Sequence, residues 1–382
     1  MPHHTVKSNR SLGSNTYDVS APPTTLPFYD SLSFDLLDVY NTLLPSRASY
    51  DRRQLFISKI RNILKTEWPD YETGVHVFGS SINGLSMEQS DVDLCITCSN
   101  LTCIYSLSFA LKKHGLQIVK LISNAKVPIA KVWDPELHIA GDFNLNNTLA
   151  LQNTKMIKTY VSIDPRVRPL ILFIKHWAKQ RNINDAAQGG TISTYTWVCM
   201  AINFLQTRQP PILPSLHEMP HSLSEDNQVI HGLNTSFCDN PGQLKGYGRT
   251  NRETLGGLLY AFFRRYGFEF DYKTQVISVR SGKVLSRQEK GWHKGPESQQ
   301  LLCVEEPFDV HRNLGNSANE EAVHGLIMEF QRAVHIILET HGNLDYLCTS
   351  YQQRQIEYSS LQEPSVCMPL LSQGDKRGRL AI

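Results

Sequence analysis

No stretch of this 382-residue sequence approaches the roughly 20 consecutive apolar residues that a helical membrane span needs. The opening, MPHHTVKSNRSLGSNTYDVSAPPTT, lacks the basic region and apolar core of a secretory signal, so the chain is expected to be soluble and intracellular. Internal repeats and long biased tracts are missing too, which excludes solenoids and low-complexity polymers. Cysteines are few and scattered, eight in all, without the spacing of a disulfide framework. Cys95, Cys98 and Cys103 come nearest to a zinc site, but no second Cys or His pair follows at finger spacing, and reduced thiols fit better. Charge of one sign is scarce. A net charge of +2 announces no basic face for nucleic acid, although an acidic centre beside a basic groove would cancel to such a figure.

What is present describes an ordinary globular chain, 41% apolar and 19% charged, long enough for two packed domains. Residues 1–25 read as a flexible lead-in. Leu36, Leu37, Tyr40, Leu43 and Leu44 recur at helical spacing, as do Leu55, Phe56, Ile60, Ile63 and Leu64 before Pro69. Short β-rich runs follow: GVHVFGS, DVDLCIT, LQIVKLIS, VPIAKVW and LHIAGDFNL, with a helix predicted at 104–114. This is an α/β unit. Beyond Asp142 the apolar faces of PRVRPLILFIKHWAKQR and TISTYTWVCMAINFLQTR predict a mostly α region. A polar surface loop is expected over 221–250, then a helix near 255–266, a hairpin from FEFDY and QVISVR, a long helix near 318–340, and a loosely attached tail.

Chemistry concentrates in FGSSINGLSMEQSDVDLCI. Alternation along a strand puts Asp91 and Asp93 on one face while Val92 and Leu94 turn to the core. Two converging carboxylates demand a counter-charge, and hard oxygen ligands suit Mg²⁺ or Mn²⁺ with a nucleotide's phosphates completing the shell. An Asp-x-Asp pair alone is weak, since such pairs are common as solvated turns or caps. Gly79 and Ser80 add context, because a Gly-Ser turn facing the pair lets backbone approach a triphosphate. Asp142 stands polar among the apolar residues of LHIAGDFNL. It is either a hydrogen-bonded edge residue or the third carboxylate, holding a second metal and taking the proton of an attacking 3′-oxygen.

With these motifs the chain resembles the noncanonical poly(A) polymerase and terminal uridylyltransferase family of the DNA polymerase β nucleotidyltransferase superfamily. The resemblance runs from about residue 30 to 340 through FGS, DVDL, FNLNNTLALQNT, KHWAK, GTISTY, EKGW and EEPFDVHRNLG. It implies a polymerase-β-like nucleotidyltransferase catalytic domain over 46–180 and a helical central, PAP-associated domain over 181–342, with the site in the cleft between them. Helix 26–45 would pack on the central domain, and 343–382 would be a loose tail. Carried over by position, Asp91, Asp93 and Asp142 would be the catalytic, metal-binding triad and Gly79 with Ser80 the triphosphate turn. Asn147 would contact the base, and Asn153 and Thr154 the ribose hydroxyls. Lys175 and Lys179, four apart on one helical face, would meet the β- and γ-phosphates. Thr194, where the family usually has Ser, would meet a phosphate, and Tyr195 would stack on the base.

The implied activity is template-independent addition of UMP, CMP or AMP from NTP to RNA 3′ ends by a two-metal mechanism, releasing pyrophosphate. An inactive RNA-binding scaffold and a nucleotidyltransferase with a non-RNA acceptor are the alternatives. The full triad argues against the scaffold, because three mutually repelling carboxylates serve no scaffolding purpose. One departure bears on base choice. Uridine-preferring relatives carry His just before the Asn of PFxxxHN, whereas here Arg312 holds that place. Arg only donates, which favours pyrimidines if it faces the base, and leaves ATP open if it faces phosphate or solvent. Lys120, Lys126, Lys131 and Lys273 with Arg280 form either an RNA track or an ordinary lysine-bearing surface. No RNA-binding module is visible, so a protein partner is expected to supply RNA selection to a monomeric enzyme. A cytoplasmic location is expected, with nuclear entry open through the KRGR run at 376–379.

Overall fold

Residues 26–123, 127–186, 190–221, 229–340 and 342–351 are described by a computed structural model. The chain opens with α1 (Leu26–Leu43) and α2 (Arg47–Glu67). Pro45 and Ser46 break them, and the Ser46 side chain caps α2 by accepting the Ser49 N–H at 3.1 Å. Five strands then form one sheet: β1 (Gly74–Phe78), β2 (Val92–Thr97), β3 (Gln117–Ile122), β4 (Ile129–Asp134) and β5 (Ile139–Leu145). Their order is β1-β2-β5-β4-β3, with β2 and β5 parallel and the other neighbours antiparallel. Short α3 (Ser80–Asn83) follows β1, and α4 (Ile104–Lys113) follows β2. On one sheet face Val92, Leu94 and Phe143 pack with Phe56, Ile60 and Leu64 of α2 and Leu107 of α4. The intervening residues of β2 and β5 are thereby turned to the other face.

A larger core lies among α5 (Leu149–Ile163), α6 (Val167–Gln180), α7 (Thr194–Gln206) and the helices Leu255–Arg264 and Glu320–Glu339. Trp177 sits in its middle, with ring centroids of Phe263 at 4.7 Å and of Trp197 and Phe330 at 5.7 Å. Such aromatic clusters bury large areas and fix helix crossings. Leu32 and Leu36 of α1 belong to this core. At Gly256 an added Cβ would stand 2.5 Å from the Tyr29 carbonyl, so glycine is what lets α1 lie against helix Leu255–Arg264.

Several expectations need correction. Within the mostly α region expected beyond Asp142, α5 (Leu149–Ile163) precedes the two helices placed by their apolar faces. Helices α5 and α6 give their buried apolar side chains to the helical core. FEFDY is not a strand: the π turn Arg265–Glu269 occupies its start, and the observed hairpin pairs Gln275–Ser278 with Lys283–Ser286. Val304–Glu305 adds a parallel third strand. The tail begins with a docked turn, Leu344–Leu347, whose two leucines are buried in the helical core. Residues 1–25, the tail from 352 on with KRGR, and Lys126 lie outside the described residues. Among those described, no helix is long and apolar enough to cross a membrane.

Candidate active site

Register builds the acidic centre. The parallel ladder sets Asp93 of β2 directly opposite Asp142 of β5, and the antiparallel ladder sets Lys131 of β4 opposite Asp142 from the other side. Asp91 stands one residue before the first ladder pair, Val92 with Gly141. Burial, then Asp142, then Asp91 push the Asp93 carboxyl up to about 7. Loss of water and the Asp142 charge also raise Asp91, which keeps an exposed face at the mouth of the site. Lys131 donates to Asp142 Oδ2 at 2.6 Å. Burial works against its charge, but that hydrogen bond and the three carboxylates prevail and raise it.

These groups line a cleft of about 550 Å³, a volume suited to a nucleotide. Its walls include Gly79, Ser80, Asp91, Asp93, Lys131, Asp142, Asn153, Thr154, Lys175, Lys179, Asn184, Thr194 and Tyr195. Gly79 has φ +65°, and a Cβ there would stand 2.2 Å from Asp93 Oδ2, so only glycine lets the turn meet the carboxylates. The Gly79 N–H donates to the Thr154 hydroxyl at 2.8 Å, and that hydroxyl donates to the Ala150 carbonyl at 2.8 Å. Thr154 thus holds the turn from α5, with its hydroxyl already engaged, rather than standing free for a ribose. Its neighbour Asn153 has a buried side-chain oxygen without a partner.

Lys175 of α6 is buried and donates to the Leu85 carbonyl at 2.6 Å. Burial pulls its ammonium down to about 8, while Asp93 opposes the fall. Lys179, one turn on, is exposed in the cleft. At the start of α7 the Asn184 amide donates to the Thr194 hydroxyl at 2.9 Å. Tyr195 donates to Glu306 Oε1 at 3.0 Å, and Glu306 Oε2 accepts from the N–H groups of Phe308, at 2.8 Å, and Asp309.

Asn147 and Arg312 do not line the cleft, and the Arg312 side chain is exposed. Lys120 on β3 and exposed Lys273 lie outside it as well. Lys131, grouped from sequence with a lysine track, belongs inside it; the missing signal was strand register, which alternation alone does not supply. Asn184 and Glu306 were also missed, and only contacts across the chain expose them.

The donor set is oxygen-only, as hard divalent cations require, and burial together with the Asp142 and Asp91 charges raises the Asp93 carboxyl. As placed, however, no three Asp, Glu, His or Cys side chains among the described residues enclose a single point. A cation would therefore have to compete with the Lys131 ammonium for Asp142.

Residues 32–162 match the family model of the central palm domain of mitochondrial-like poly(A) RNA polymerase, and 254–312 match that of Cid1 family poly A polymerase. Poly(A) RNA polymerase cid13 of Schizosaccharomyces pombe is 44% identical over 327 residues, covering 84% of this chain and 56% of the relative. Terminal uridylyltransferase 4 of Homo sapiens is 34% identical over 323 residues, covering 81% and 19%. A crystal structure of the Cid1 poly(U) polymerase with MgGTP bound matches with a TM-score of 0.74 at 27% identity, covering 85% of this chain and 100% of that one. The chain spans little more than half the length of the first of these relatives and a fifth of the second. With both family models and the solved fold in agreement, the chain belongs to the Cid1 family of noncanonical poly(A) and terminal uridylyl polymerases.

Proposed function

We propose that the protein is a template-independent RNA 3′-terminal nucleotidyltransferase. The observation that carries this reading is the ladder pairing of Asp93 with Asp142, with Asp91 and the Gly79–Ser80 turn beside them and Lys175 and Lys179 lining the same nucleotide-sized cleft. Two Mg²⁺ or Mn²⁺ ions held by Asp91, Asp93 and Asp142 would supply Lewis-acid activation of the RNA 3′-hydroxyl and charge neutralisation of the triphosphate. The protein's own groups do the rest. The Gly79–Ser80 turn, braced by Thr154, receives the triphosphate. Lys179 extends an exposed ammonium to the β- and γ-phosphates, and Lys175 adds charge from below. Thr194, whose hydroxyl exchanges hydrogen bonds with the Asn184 amide, would turn its proton from the Asn184 oxygen to a phosphate oxygen. Tyr195, fixed by Glu306, offers its ring to the base, and the unpartnered oxygen of Asn153 accepts a ribose hydroxyl, which favours ribonucleotides.

AMP transfer is the first reading of base choice, supported by the poly(A) polymerase name of the relative at 44% identity and by Arg312 standing outside the cleft. A pyrimidine reading rests on the Arg312 carbonyl, which accepts the Glu306 N–H at 3.0 Å and so ties this residue to the partner of Tyr195. The test is purified protein with 5′-labelled single-stranded RNA, Mg²⁺ or Mn²⁺ and each NTP, beside an Asp91→Ala/Asp93→Ala control. Extension by the wild type alone is expected, strongest with ATP. Preference for CTP or UTP, changed by Arg312→Ala, would install the second reading. No extension by folded protein with any NTP would overturn the assignment.

A further inference from the structure

We propose that Arg53 is a positioning residue for the acidic centre, acting through the backbone of segment 86–90 to set where Asp91 stands. The inference rests on the reading of Asp91, Asp93 and Asp142 as a divalent-metal site. Asp93 and Asp142 are each fixed by hydrogen-bonded neighbours on both sides, through the pairs Phe78 with Asp93, Asp93 with Asp142, and Lys131 with Asp142. Asp91 lies outside every ladder. Its distance from the other two carboxylates is therefore set by the turn that delivers it.

That turn is organised around one guanidinium. Arg53 of α2 is 6% exposed and takes no part in lining the cleft. One terminal nitrogen donates to three carbonyls, Met87 at 2.9 Å, Glu88 at 3.1 Å and Ser90 at 3.0 Å, and the other donates to Ser86 Oγ at 3.0 Å. The last of those carbonyls belongs to the peptide that joins Ser90 to Asp91. Three carbonyl dipoles aimed at one point need a cation with several donors. With a neutral side chain the Ser90 carbonyl loses its donor, while the Met87 and Glu88 carbonyls keep the Ser90 N–H and the Ser49 hydroxyl, and Lys has neither the fork nor the reach to replace both nitrogens. Ser46 and Ser49 also bind Glu88, through its carboxylate and its carbonyl, and the Ser90 N–H and hydroxyl close on the Met87 backbone, but none of these bonds reaches the Ser90 carbonyl. The Arg53 charge additionally favours ionised Asp91.

The test is Mn²⁺ binding by electron paramagnetic resonance on the full chain, comparing wild type, Arg53→Met, Arg53→Lys and Ile57→Ala. Ile57 lies one turn on in α2 and is buried in the sheet core, so its truncation lowers stability without touching the turn. Arg53→Met should bind Mn²⁺ about 10- to 100-fold more weakly, the range typical of lost second-layer support, with partial recovery in added guanidinium. Arg53→Lys should fall between, and Ile57→Ala should melt earlier yet bind like the wild type. Folded Arg53→Met with wild-type affinity would overturn the proposal; if that variant does not fold, unchanged affinity in Arg53→Lys would overturn it equally. A wild type that binds no Mn²⁺ would instead overturn the metal reading beneath it.

Discussion

On the sheet wall of the cleft, the Asp91 and Asp93 carboxylates accept no hydrogen bond from any described residue, and the Asp142 carboxylate accepts from the Lys131 ammonium. On the helical wall the polar groups are largely spoken for: Lys175 by Leu85, Thr194 by Asn184, Tyr195 by Glu306 and Thr154 by Gly79. The difference separates two tasks. Groups that bind a cation must be left charged and under-satisfied, at a cost to the fold, whereas groups that orient a nucleotide work best when their own rotamers are already locked. Lys179 and the Asn153 oxygen are the helical wall's exceptions, and both point to direct ligand contact.

The comparison breaks most visibly at Asp93. Asp93→Asn removes one of three crowded carboxylates, so transfer should fall by on the order of 10³-fold while metal-free stability rises by on the order of 1 kcal/mol. Single-turnover extension and thermal unfolding in EDTA report the two changes. A variant that loses activity and stability together would mean that the sheet wall is not under electrostatic load.

Much of that wall was legible in the sequence, since a strand's alternation and an isolated Asp among apolar neighbours are local signals. Asp91, Asp93 and the Gly79 turn stand out on local pattern, whereas Asp142 stays open on that pattern and joins them through the family resemblance. The helical wall was legible only as residue types. That Thr154 serves Gly79, 75 positions away, or that Asn184 holds Thr194, depends on the packing of α5 and of the turn before α7, which no periodicity encodes. Lys131 shows the limit most plainly: its place opposite Asp142 is a matter of register between two antiparallel strands.

The two lysines sharpen the contrast within the helical wall. Lys179→Ala should raise the KM for NTP roughly 10-fold, the worth of one charge-assisted contact, and leave the melting temperature unchanged. Lys175→Met should raise the KM and lower the melting temperature, because the Leu85 carbonyl then loses its donor inside the protein, at about 1–3 kcal/mol. Steady-state kinetics and melting curves on the pair decide it. Equal melting temperatures would show that the Lys175 bond to Leu85 carries no weight.

A smaller effect is expected at Thr154. Thr154→Val keeps the volume but strands the Gly79 N–H, so stability should fall by about 1 kcal/mol and kcat for extension several-fold as the triphosphate turn loosens. Thr154→Ser, which restores the hydroxyl, should recover most of both. If Val and Ser variants behave alike, the brace is packing rather than hydrogen bonding.

The last effect bears on stability alone and lies away from the cleft, at a buried histidine. His217 has both ring nitrogens buried without a partner, against the rings of Phe237 and Phe308. Burial, then the nearby Arg280 charge, pull it down to about 3 from an ordinary 6.5. The folded protein therefore keeps it neutral while the unfolded chain takes up a proton below pH 6.5. Its contribution is complete above that pH and is lost progressively as pH falls toward 3, about 1.4 kcal/mol by pH 5.5. Urea unfolding at pH 7.5 and 5.5 should show a loss of that size in the wild type that is missing from His217→Phe. Equal losses in both would mean that water reaches the ring, and that the helical core, unlike the acidic wall, holds no uncompensated group at this position.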